Sequence, residues 1–181
     1  MRPQDYVGTE KETLLNWEAL GAIGELVGAT AVLITLVYLA LQIRQNTAAL
    51  RSTATQGAHD QVGRLYQTVS TDPELAMIFA RGCTDPDELS DIETAKYYSL
   101  LIQILFYVQN WHTQTRDGLM DEDLLSSWSK ILTDIATTPG FQRVWEQRKH
   151  IFSSALRKYL EAEVFTKAGG LPYKPLGVEI L

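Results

Sequence analysis

Residues Leu26 to Ile43 read LVGATAVLITLVYLALQI, eighteen residues without a charged side chain between Glu25 and Arg44. Ten of them are Leu, Ile or Val, and each contributes about −0.3 to −0.6 kcal/mol to insertion at a helix centre. The one strongly polar residue inside the run, Gln42, sits near its end, as does the bounding Glu25. Extending the run back to Ala19 gives 25 positions, enough to cross a bilayer core with some tilt. The stretch is therefore read as a single transmembrane helix over 19–43, and the bilayer is its first expected partner. The competing reading is a buried helix of a soluble α protein.

Outward from this run, the N-terminal side is a polar leader over 1–18 with Pro3 and Gly8, expected to be loose. Trp17 and Tyr38 stand near the two ends of the apolar segment, as interface anchors do. A cleaved signal peptide fits poorly. Its n-region would be basic and its apolar core about 7–15 residues, whereas this leader is acidic and the run is longer. Arg44 and Arg51 follow the run closely and Lys11 precedes it, so the positive-inside rule places the C-terminal part in the cytoplasm.

On the other side, nothing stops the helix at Arg44. No proline occurs between Pro3 and Pro73. Leu50, Ala54, Ala58, Val62, Leu65 and Val69 recur at spacings of three and four, so a stalk with one apolar face is expected to continue from the membrane and dock on the rest. Asp72-Pro73 restarts a helix expected to end at Arg81-Gly82, and Asp85-Pro86-Asp87 is expected to be a loop. Ser90 to Glu93 forms a capping box. It opens the stretch 97–111, whose thin polar stripe (Lys96, Ser99, Gln103, Asn110) fits a central helix covered on most sides. Asp117-Gly118 ends that helix, Asp121 starts the next, and Pro139-Gly140 breaks it. One last helical stretch is expected from Phe141 to Leu160, kinked at Ser153, before an irregular tail over 168–181. The fold class is all-α: one N-terminal transmembrane helix, its stalk, and a helical bundle over 44–167.

The charge balance excludes some functions. The net charge of −6 comes with no Lys/Arg-rich face, so no nucleic acid is expected as a partner. The single cysteine, Cys83, cannot form an intramolecular disulfide, and it is expected to be a spectator thiol in a loop. His59, His112 and His150 fall on separate helices, so no metal centre is expected. No P-loop, GxGxxG or GxSxG motif occurs. No catalytic residue and no cofactor are assigned.

One pattern inside the apolar helix carries physical content. Gly21, Gly24, Gly28, Ala31 and Thr35 follow each other at three and four residues, and Tyr38 and Gln42 continue the series. Small residues let two backbones approach in lipid, where no hydrophobic force drives helices together. The stripe is read as a packing face toward a second copy or another membrane protein. In the stalk the same register carries Gln45, Ala49, Ser52, Gln56 and His59, a polar seam unsuited to a soluble coiled coil. Glu25 and Gln42 are the polar groups at the ends of the span. The alternative use of this helix is a small oligomeric channel or proton-conducting assembly built on Glu25, Thr35 and Gln42.

Three blocks carry a likeness to known sequences: NWEALGAIGELVGATAVLITLVYLALQIRQNT (16–47), DPELAMIFARG (72–82) and PGFQRVWEQRKHIFSSALRKYL (139–160). They resemble the recurring blocks of a widespread group of uncharacterised bacterial proteins with one N-terminal span, over roughly residues 17–165. The resemblance implies a protein of the bacterial inner membrane with a helical domain, and it assigns no functional residue. The expected function is a membrane-anchored helical module that self-associates or serves as an accessory subunit of a larger membrane complex, without catalysis.

Overall fold

Helix α1 runs unbroken from Val7 to Thr71 in the computed structural model, which describes the backbone of residues 7–166 and the side chains of 17–166 other than residue 131. Its start lies inside the stretch expected to be a loose leader, and the tail expected over 168–181 lies outside the described residues. The length follows from the absence of proline between Pro3 and Pro73. Gly57 and Gly63 each cost only about 1 kcal/mol relative to Ala. Pro73 ends the helix by forcing the preceding residue out of the helical region: Asp72 is extended, at φ −121° and ψ 95°.

The chain divides into two compact units, Met1–Ala49 and Leu50–Leu181. The second unit comprises the last third of α1 together with α2 (Pro73–Thr84), α3 (Asp91–Arg116), α4 (Glu122–Ala136), α5 (Pro139–Arg148) and α6 (Ser154–Tyr159). Among the described residues there is no strand. The all-α expectation is correct.

Each start signal forms as the chemistry predicts. Asp72 accepts from the Leu75 N–H at 3.0 Å. Ser90 Oγ accepts from the Glu93 N–H while the Ser90 N–H donates to Glu93 Oε2, closing the capping box. Asp121 caps α4 through the Asp123 N–H, and Thr138 caps α5 through the Phe141 N–H. Gly118 takes φ +72° just past α3, a left-handed turn that glycine adopts without a Cβ penalty.

Four local expectations change. First, α2 passes through Gly82 and ends at Thr84, so Cys83 lies in its last turn, fully buried, and not in a loop. Gly82 does not stop this helix because its missing side chain is used for packing: a Cβ there would lie 2.4 Å from the Tyr97 ring. Second, Pro86–Glu88 forms a 3-10 turn where a loop was expected. Third, the exposed stripe of α3 over 97–111 holds Ser99, Gln103 and Asn110 as expected, but also takes in an apolar residue, Phe106, 45 % exposed. The rest of that stretch is buried or half-buried, so the helix is covered on most sides as its pattern predicts. Fourth, the last stretch is divided. A 3-10 turn at Lys149–Ile151 follows α5, Ser153 caps α6 through the Leu156 N–H, and Leu160–Val164 forms a π-turn. Ser153 acts as a helix start and not as a kink, because its side chain satisfies an N–H that an unbroken helix would pair internally.

One hydrophobic core joins these elements, with Ile78 and Cys83 from α2, Leu132 and Ile135 from α4, Phe141, Val144 and Trp145 from α5, and Leu156, Leu160 and Val164 beyond. The stalk face docks as its periodicity predicts. Ala58 is buried, and Val62, Leu65 and Val69 pack against the core, while Leu50 at the upper end is exposed. His59 of the expected polar seam lies edge-on to Trp128, ring centroids 5.1 Å apart.

Candidate membrane-interacting helix

The first unit consists, in its described side chains, of the α1 segment that begins at Trp17. Every residue from Trp17 to Asn46 is exposed. Twelve Leu, Ile and Val side chains between Leu20 and Ile43 remain 49–70 % exposed. Covering them is worth on the order of 15 kcal/mol, as much as the whole net stability of an ordinary domain. A helix with apolar residues on all sides is normally found buried, yet among the described residues of its own unit nothing buries this one. It is long and apolar enough to cross a membrane.

Polarity within the segment is handled locally. Thr30 Oγ1 donates to the Leu26 carbonyl at 2.8 Å, and Thr35 Oγ1 to the Ala31 carbonyl at 2.8 Å. A threonine bonded in this way leaves no donor unsatisfied, so Thr35 needs no partner to reside in an apolar medium. Glu25 and Gln42 make no hydrogen bond or ion pair with any other described residue. Trp17 and Tyr38, the expected anchors, are 73 % and 65 % exposed.

The small-residue stripe lies open. A Cβ built on Gly21, Gly24 or Gly28 meets nothing within 4 Å, and Ala31 and Thr35 are exposed on the same register. Nothing among the described residues therefore requires glycine at these three positions. Gly82 and Gly140 differ. A Cβ on Gly140 would fall 1.8 Å from the Gly82 carbonyl oxygen and 2.6 Å from the Tyr97 hydroxyl, so α2 and α5 touch backbone to backbone there. Sequence reading treated both glycines as helix punctuation, because their partners are far apart in the chain.

Two features of the second unit could hold chemistry. Cys83 is buried against Tyr97, whose hydroxyl donates to its Sγ at 3.7 Å. Burial raises the thiol above its ordinary value, against the opposing effect of hydrogen bonds with Tyr97 and Thr138, so it stays protonated and inert. A groove of about 590 Å³ lies between α3, α4 and the π-turn, walled by His112, Ser129, Lys130, Tyr159 and Glu163 among others. Within it Ser129 Oγ gives its proton to the Leu125 carbonyl at 2.7 Å, so the 2.8 Å contact with Tyr159 has the tyrosine as donor. The His112 ring rests 4.9 Å from that of Tyr159, and burial, with Arg116 beside it, lowers its proton affinity. The rim mixes Arg116 and Lys130 with Glu122, Asp123 and Glu163, so charge selects neither an anion nor a cation. No cluster of three or more potential metal ligands occurs among the described residues.

No family model, curated protein or solved structure matches the chain. The exposed apolar helix is thus the most informative surface of the molecule, and its reading rests on physical chemistry alone.

Proposed function

We propose that this protein is a membrane-anchored helical module that assembles through its membrane helix, with itself or as an accessory subunit of a larger membrane complex, and that it is not an enzyme. The observation that carries the reading is the α1 run from Leu26 to Ile43, free of charged side chains and exposed throughout among the described residues. A bilayer covers such a surface without any further partner.

Assembly is supported by the open stripe of Gly21, Gly24, Gly28, Ala31 and Thr35, where a second helix can approach closely with no clash against this chain. The likeness to bacterial single-span proteins favours the inner membrane, and Arg44 and Arg51 favour a cytoplasmic second unit.

Two measurements test the proposal. Washing membranes with alkaline carbonate should leave the protein in the pellet, and release into the supernatant would end the anchoring reading. Gly28→Leu should then shift the detergent-solubilised species to smaller size on a native gel. Val27→Leu, a similar apolar change off the stripe, should not. If both migrate with the parent, assembly through this face is wrong while anchoring still stands.

A further inference from the structure

We propose that the α1 segment from Leu50 to Thr71 is a strap that undocks from the bundle as a unit, turning about Asp72 and uncovering Trp111 and Trp128, while α2 to α6 stay folded. Among the described residues, Ala58 is the one buried apolar side chain of α1, and the others lie between Ile78 and Val164. The bundle closes its core without the strap, most tightly where Gly82 of α2 meets Gly140 of α5 beneath Tyr97.

The strap is held mainly by the ends of long side chains. Arg51 Nε donates to the Gly118 carbonyl at 3.0 Å, Trp111 Nε1 donates to Gln61 Oε1 at 2.9 Å, and His59 stands edge-on to Trp128. Trp128 in turn packs on Trp111, centroids 4.7 Å apart. Val62, Leu65 and Val69 add half-buried apolar contact. Polar contacts at side-chain tips are worth little net energy, because water replaces them on opening.

The covalent joint suits such a motion. A single residue, Asp72, separates Thr71 from Pro73 and already has extended dihedrals. Hinges are commonly a few residues at element ends that absorb a backbone rotation. Rotation there leaves the backbone hydrogen bonds within α1 and α2 in place, with only the cap from Asp72 to the Leu75 N–H at stake.

The test uses the full chain in lipid nanodiscs with spin labels on Ser52→Cys and Ser127→Cys, both exposed positions; Cys83 is buried and takes no label. The expected distance distribution has a short component and a second, longer one. Arg51→Ala with Gln61→Ala should raise the longer component about tenfold, from the loss of two hydrogen bonds, with helix content unchanged. A single narrow distribution in a folded double variant overturns the proposal. So does a double variant that unfolds as a whole, since the bundle would then depend on its strap.

Discussion

Glu93 illustrates how much one side chain can do. It closes the capping box with Ser90 and also pairs with Arg81 of α2, which joins the start of α3 to the helix before it. The hydrogen bonds from the Ser90 backbone and hydroxyl, and then that from Arg81, hold its carboxyl at about 2, against an ordinary 4.5. A carboxylate depressed on folding contributes stability that is complete above its unfolded value and is lost as pH falls through the folded one. The parent should therefore lose thermal stability between about pH 4.5 and about pH 2. Glu93→Gln should begin less stable at neutral pH and show a shallower decline over that window, as followed by melting curves. An equal decline in both would remove Glu93 from the acid response. The capping box was legible from Ser90 and Glu93 because it is a local pattern. Arg81 as third partner was not, since it lies on a different helix.

At the scale of elements, α2 and α5 are fixed by Gly82 and Gly140. Their backbones approach too closely for any Cβ: 1.8 Å separates a Cβ on Gly140 from the Gly82 carbonyl oxygen. Gly140→Ala should thus force the two helices apart and destabilise the second unit by about 3 kcal/mol or more, at the upper end of overpacking costs. Gly57→Ala, at a helical position where a Cβ meets nothing, should be neutral or stabilise by up to about 1 kcal/mol. Thermal unfolding followed by circular dichroism in detergent checks both, and equal melting temperatures would refute the close-contact account.

For the whole molecule, the proposed anchoring predicts a cytoplasmic second unit, and thiol accessibility tests it. Cys83 cannot report it, because the thiol is buried in α2. Ser127 is exposed on α4. With a membrane-impermeant maleimide, Ser127→Cys should stay unmodified in intact cells and react after lysis if the unit is cytoplasmic. The parent, carrying Cys83 alone, should react only when denatured. Labelling of Ser127→Cys in intact cells would reverse the assignment, and labelling of the native parent would contradict the burial of Cys83.

The sequence by itself determined the helical class, the position of the long apolar helix and the starts of α2, α3 and α4. These depend on neighbours within a few residues: an uninterrupted apolar run, a proline, or an oxygen two or three positions before an N–H. Tertiary structure decided where helices end and what the glycines are for. Gly82 reads as a stop, yet α2 continues through it because Tyr97 occupies the space a side chain would need. Phe106 reads as covered, yet it stays 45 % exposed although its ring lies 5.1 Å from that of Phe152. Cys83 reads as a loop residue and is core. The groove by the π-turn could not be foreseen, since His112, Ser129 and Tyr159 come from three segments. Each of these outcomes is set by contacts between residues distant in the chain, and sequence spacing carries no information about how closely their backbones approach.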